Sequence, residues 1–204
     1  MPLPIPLHGF KGSNTQAGTG FLVRDGTKVW LVTCVHIITA LKETPPSFEL
    51  FSGARIEVVD TPTVLYLFEG NNQRFSVVTN QSEGFLADVM AIRLTTTEVA
   101  ALFSYGAYDL STVVTPICGE SVTATGFPGM GQTLIRPMTL AGHVADIVGM
   151  SVKLTVPSAP GYSGSALQGE TGLIGIMHGD VGEPQNLVNG LAISFEVVGP
   201  HLFI

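Results

Sequence analysis

Ser163 lies in the run Pro160-Gly161-Tyr162-Ser163-Gly164-Ser165. Glycines on both sides permit a tight turn whose backbone N–H groups converge on one point, as a developing oxyanion requires. A serine hydroxyl is a weak nucleophile at its free pKa and attacks only when a neighbouring base takes its proton. Taken alone, a Gly-x-Ser-Gly run describes an ordinary β-turn equally well. Two residues upstream give it meaning. His36 closes the apolar run Leu31-Val32-Thr33-Cys34-Val35, and Asp88 opens Val89-Met90-Ala91-Ile92-Arg93-Leu94. The order is His, Asp, Ser, at separations of 52 and 75 residues. An imidazole that takes the proton, a carboxylate that orients it and a hydroxyl that attacks are the parts of acyl-transfer chemistry.

Short β-branched or aromatic runs must carry these groups. They cover Gly20–Val23, Val29–Thr33, Arg55–Val59, Thr63–Phe68, Phe75–Val78 and Val89–Leu94, then Ser121–Gly126, Thr133–Pro137, Thr139–Ile147, Ser151–Val156, Leu173–Met177 and Leu191–Phe195. Turn residues separate them, which predicts an all-β chain, barrel or sandwich. Helical spacing is brief, at Ile37–Leu41, Glu98–Phe103 and Val197–Phe203, and Pro200 keeps the last one short. The reading divides the chain into 1–98, a linker at 99–111, and 112–204.

The motifs, in order, resemble those of the chymotrypsin-like serine proteases, in particular HtrA protease domains, V8-type glutamyl endopeptidases and viral 3C-like enzymes. Gly18-Thr19-Gly20-Phe21 is similar to the family's Gly-Ser-Gly-Phe strand, Thr33 to His36 to its Thr-Ala-Ala-His box, and Asp88 to Leu94 to its Asp-Leu-Ala-Leu strand. Gly126-Phe127-Pro128-Gly129, Gly142-His143-Val144, Gly161 to Ser165 and Leu173 to Met177 follow in the family's sequence. The resemblance implies two six-stranded antiparallel β-barrels, the first carrying His36 and Asp88 and the second Ser163, with the active site in the cleft between them. It further implies His36 as general base, Asp88 as its orienting carboxylate, Ser163 as nucleophile, and the N–H groups of Gly161 and Ser163 as the oxyanion hole.

Departures from the family pattern shape the expected specificity. Tyr162 stands where digestive members keep the Asp that pairs with a newly cut N-terminus, so activity without zymogen cleavage is expected. Pro157 replaces the Asp that selects Lys or Arg, and Ser158 falls where V8-type and 3C-like enzymes place a hydroxyl. Gly190 resembles the glycine that keeps the pocket open. In Gly175-Ile176-Met177-His178-Gly179 the histidine comes one residue later than in the Gly-Ile-His pattern, and a slip of one reverses the face a strand residue presents. Met177 lining an apolar pocket, with His178 near Asp88, is the favoured reading. The alternative is a bulge that puts His178 beside Ser158 and selects Glu or Gln. A substrate strand adds near Gly179. The expected function is a serine endopeptidase with a protein or peptide substrate. A silent peptide-binding module on a protease fold, and a viral protease that processes its own precursor, are the competing readings.

Composition narrows the remaining classes. The chain has 204 residues, 45% hydrophobic and 12% charged, with a net charge of -7. It can bury a sizeable core, and without a basic cluster a nucleic-acid partner is not expected. The longest apolar run, Val29 to Leu41, is thirteen residues and contains His36, short of a membrane span, so no membrane partner is expected. The N-terminal Met-Pro-Leu-Pro-Ile-Pro-Leu-His has no signal-peptide pattern, which suggests an intracellular protein or a domain excised from a longer polyprotein. Cys34 and Cys118 read as buried free thiols. His8, His143 and His201 have no partners at ligand spacing, so neither a metal nor a cofactor is expected. Nothing in the sequence specifies an oligomeric state.

Overall fold

The computed structural model describes residues 1–130, 136–181 and 189–204. Strands β1 (Ile5–Lys11), β2 (Asn14–Asp25) and β3 (Lys28–Thr33) are joined by two-residue turns at Gly12 and Gly26. Both glycines take positive φ, which suits the twist of tight hairpins. β2 serves two neighbours in succession. Its first half pairs with β1 as far as Gly20, and its second half pairs with β3 from Phe21 onward.

β1 carries Pro6 yet sits inside the sheet, between β2 and β4 (Arg55–Val58). Pro6 faces Thr19, whose N–H and C=O both point away from β1, to Ser163 O and from Thr33 Oγ1 respectively. The β1–β2 ladder therefore loses nothing at Pro6, whose carbonyl accepts Val59 N–H at 3.0 Å on the other side, just past the end of β4. β5 (Val64–Tyr66) continues one edge, and β9 (Phe85–Arg93) and β8 (Phe75–Asn80) extend the other. The path β5-β4-β1-β2-β3-β9-β8 is a seven-strand sheet, with β10 (Tyr108–Asp109) added parallel to β2. β6 (Phe68–Glu69) and β7 (Asn72–Gln73) form a separate small hairpin between the β5 and β8 strands. The two-barrel architecture is present, but this first half is a curled sheet rather than six strands closed on themselves.

The connecting segment starts with α2 (Thr96–Ala101). Thr95 and Glu98 form its capping box, which sets the start two residues before the apolar spacing does. The second half is a closed barrel of β11 (Ser121–Gly126), β12 (Met138–Val148), β13 (Ser151–Leu154), β16 (Asn189–Ser194), β15 (Leu173–Val181) and β14 (Ala166–Gln168), in that spatial order. The strand expected over Thr133–Pro137 lies mostly outside the described residues.

Each half has its own apolar core. Leu7, Leu31, Ile56, Leu65 and Met90 belong to the first, and Val122, Val152, Leu154 and Ile174 to the second. A third cluster joins the halves. There α3 (Phe195–Leu202) lays Phe195, Val198 and Leu202 against Phe21 and Trp30 of the first sheet. Trp30 meets Phe203 edge-on at 5.4 Å between ring centroids. Such pairing fixes one half on the other through a shared desolvated layer.

Candidate active site

β3 ends at Thr33, and one short turn later His36 opens α1 (His36–Thr39). Pairing of β3 with β9 sets Thr33 opposite Met90, so Asp88, two residues earlier on β9, comes level with His36. The Asp88 carboxylate is held at both oxygens. Oδ1 accepts the His36 backbone N–H at 2.9 Å, and Oδ2 lies 2.6 Å from His36 Nδ1. Two contacts from one residue fix both the imidazole and the carboxylate plane. With Nδ1 as donor, Nε2 is left as an acceptor toward the cleft.

Burial would lower the His36 pKa. The hydrogen bond and charge of Asp88 outweigh it and hold the imidazole above its ordinary value. Burial would likewise raise Asp88, and the His36 ring, the His178 ring and the His36 N–H together draw it below the usual carboxylate range. His178 Nδ1 lies 3.9 Å from Asp88 Oδ2.

Ser163 sits on the loop between β13 and β14, half-buried, on a cleft of about 410 Å³ lined also by His36, Asp88, His178, Gly179 and Leu191. The loop turns through two glycines at φ +101° (Gly161) and +89° (Gly164), a region L side chains rarely adopt. Contacts reinforce the requirement. A Cβ on Gly164 would stand 1.8 Å from Thr19 O, and one on Gly161 would stand 2.2 Å from Phe127 O. Within the turn the N–H groups of Tyr162, Gly164 and Ser165 are bonded to Ala159 O, Met177 O and Tyr162 O. Those of Gly161 and Ser163 have no backbone partner among the described residues.

The first sheet also holds this loop. Thr19 N donates to Ser163 O at 2.8 Å, and Thr19 Oγ1 donates to Gly161 O at 2.7 Å. Thr33 Oγ1 in turn donates to Thr19 O at 2.8 Å. The two threonine hydroxyl bonds are buried at the junction of the halves. Thr19 and Thr33 were absent from the site residues expected from the sequence, although both lie inside the quoted motifs. A threonine inside an apolar run, as at position 33 between Leu31 and Val35, is the signal that points to them.

His36, Asp88, Ser163, His178 and Gly179 are thus brought to one cleft. Met177 is fully buried in the second core. A Cβ on Gly190 would lie 3.2 Å from Met177 Cε and 3.4 Å from Ser158 Cβ, so these three residues meet. Pro157 is exposed on the strand side of the loop. The register between β15 and β16 shifts between Met177 and Gly179, so a bulge exists at His178. The geometry mixes the two expectations: the bulge is present, while His178 is turned to Asp88 and Met177 meets Gly190. Cys34 is buried as expected, with its thiol donating to Met177 O at 3.2 Å, whereas Cys118 is exposed because it lies in the turn before β11 rather than in a strand. Donor atoms of Cys34, His36 and Asp88 lie within 4.8 Å of one another, a cluster assembled in space that ligand spacing along the chain does not reveal.

The sequence model of the trypsin-like peptidase domain matches residues 18–176. Among solved structures, the serine endoprotease of Yersinia pestis superposes with a TM-score of 0.60 at 14% identity, over 98% of this chain and 61% of that one. This chain therefore spans less than two thirds of the Yersinia chain. A structure from work on the coupled folding and binding of the intrinsically disordered Sesbania mosaic virus VPg protein gives 0.61 at 14% identity, over 95% and 87%. The MamO protease domain of Magnetospirillum magneticum gives 0.55 at 18% identity, over 98% and 96%. At these identities the likeness is one of fold. No curated protein matches the sequence.

Proposed function

The chain belongs to the trypsin-like peptidase domain family, and from that premise we propose that it is a serine endopeptidase working through Ser163, His36 and Asp88. The observation that carries the reading is the double hold of Asp88 on His36, beside a glycine-strained loop that presents Ser163 to the same cleft. His36 Nε2 takes the Ser163 proton as Oγ attacks the scissile carbonyl and returns it to the leaving amine. An acyl-enzyme remains, and water, activated by the same imidazole, releases it. Asp88 keeps Nδ1 protonated and stabilises the imidazolium. The N–H groups of Gly161 and Ser163 bind the oxyanion, each donor contributing about 10²–10³ in rate.

Tyr162 is nearly buried and its carbonyl is already bonded inside the turn, which supports competence without a cleaved N-terminus. For the P1 side chain we propose an apolar preference, supported by the meeting of Met177 Cε, Gly190 and Ser158 and by the turning of His178 to Asp88.

Incubation with a fluorophosphonate, followed by intact-mass analysis, should give one adduct on the wild type and none on Ser163→Ala. A peptide library should then rank Leu, Phe and Met above Glu and Gln at P1. A folded wild type that takes no adduct would overturn the peptidase reading in favour of a peptide-binding module. A Glu or Gln preference would overturn the pocket assignment alone.

A further inference from the structure

We propose that Cys34, His36 and Asp88 form an inhibitory binding site for zinc or a similar thiophilic divalent cation, which switches the peptidase off by capturing the wrong nitrogen of its base. Three donor types of the right softness converge. Cys34 Sγ, a ring nitrogen of His36 and an Asp88 oxygen lie within 4.8 Å of one another, three protein donors that leave the fourth position of a tetrahedral ion to water. Tetrahedral zinc, with bonds of roughly 2.0–2.3 Å, sets its donors roughly 3.3–3.6 Å apart. His36 Nδ1 and Asp88 Oδ2, now at 2.6 Å, must separate by about 1 Å to share one ion. A thiolate and an imidazole favour zinc over magnesium or calcium, which take oxygen donors.

The local hydrogen bonds allow the rearrangement. The thiol proton now goes to Met177 O, but that carbonyl also accepts Gly164 N–H at 2.8 Å and stays satisfied when the thiol leaves. Access comes from the cleft, where His36 and Asp88 retain 26% and 17% of their side-chain exposure.

The proton balance defines the inhibition. Zinc on Nδ1 moves the imidazole proton to Nε2, with no net release from the ring, and Nε2–H has no lone pair to take the Ser163 proton. Cys34 binds as thiolate and releases its proton to solvent, so each zinc liberates one proton and affinity rises with pH. The inhibitory consequence rests on His36 acting as base, while binding of the metal does not.

Cys118 is an exposed thiol and would bind metal indiscriminately, so the test uses a Cys118→Ala background. Cobalt(II) chloride should produce a thiolate-to-cobalt charge-transfer band in this protein and in its Ser163→Ala version. The band should vanish in Cys34→Ala, which places at that position the residue of the family's own Thr-Ala-Ala-His box. Zinc chloride should inhibit peptide hydrolysis at least about tenfold more weakly in Cys34→Ala, with basal activity retained. Equal zinc inhibition in both proteins, or no cobalt band, overturns the proposal. Should Cys34→Ala fail to fold by circular dichroism, Cys34→Ser, a harder and weaker ligand of the same size, takes its place. If no peptide is ever hydrolysed, the band still decides metal binding, and a positive band then stands although the peptidase reading has fallen.

Discussion

Replacing Thr19 by Val tests whether the first sheet positions the loop of Gly161 and Ser163, the proposed oxyanion donors. Val keeps the shape and β-branching of Thr and deletes one hydroxyl, which donates to Gly161 O at 2.7 Å and accepts Phe127 N–H at 3.3 Å. Gly161 O and Phe127 N also face each other at 3.3 Å, so neither is wholly orphaned. The loss should therefore match one under-satisfied buried group, about 1–3 kcal/mol. For a chain of this length that is a fall in Tm of roughly 2–12 °C. Gly161 is one of the two proposed oxyanion donors, and the oxyanion exists only after attack. Displacing it should lower kcat much more than it raises KM. Thr19→Ser, which keeps the hydroxyl, should recover most of both effects. Scanning calorimetry and steady-state kinetics on the three proteins decide the matter. A Thr19→Val protein within about 0.5 kcal/mol of wild type, with unchanged kcat, would refute the reasoning.

Activity should rise with pH along a single acid limb set by His36, whose folded pKa is raised, so half-maximal kcat/KM should lie above the usual imidazole value of about 6.5. Asp88→Asn should move that limb to lower pH, since only burial then acts on the ring, and should reduce kcat by on the order of 10⁴; a limb that stays in place would count against the pair. For stability the signs are opposed. The raised His36 contributes stabilisation at pH below its unfolded value that is lost as pH climbs through its folded one, whereas the lowered Asp88 contributes stabilisation above its unfolded value that is lost as pH falls through its folded one. Urea midpoints of wild type and Asp88→Asn across pH 2–9 would separate the two. Gly164→Ala adds a Cβ 1.8 Å from Thr19 O at φ +89°, and should destabilise by at least about 3 kcal/mol, read as the loss of a cooperative thermal transition at the wild-type Tm.

The barrels were legible because alternation and turn residues repeat along the chain, and β11 falls on Ser121–Gly126 as the pattern predicts. β1 was not, because Pro2, Pro4 and Pro6 mask a strand whose only interior proline happens to face a residue with no hydrogen bond to give it. The short β14, Ala166–Gln168, merges with the nucleophile loop and offers no alternation. That His36, Asp88 and Ser163 share one cleft could be read from the sequence because each sits at a fixed place relative to a strand. The surroundings of His178 could not, since a bulge between Met177 and Gly179 depends on how β15 and β16 register across the barrel. Cys118 shows the same limit, for apolar neighbours in sequence did not bury it.

The glycines and threonines of the motifs gain a different meaning once the two halves are seen together. A Cβ on Gly18 would lie 2.3 Å from Ile37 Cδ1 within its own half and 3.1 Å from Ser163 O across the junction, so the glycine lets β2 approach the loop closely. Thr19 binds the loop of the second barrel at Gly161 and Ser163, and Thr33 holds Thr19. The second barrel adds the Gly164–Met177 bond. The Ser163 loop is thus fastened to β2 as well as to its own barrel, where Met177 N and Phe127 N also donate to Ser165 O and Gly161 O. A displacement of one half relative to the other would break the Thr19 bonds and widen the cleft in the same motion. Packing of α3 on Phe21 and Trp30 therefore bears on the geometry of the site: Phe21 and Thr19 are two residues apart on the same strand, and whatever loosens the aromatic layer loosens the strand to which the Ser163 loop is bonded.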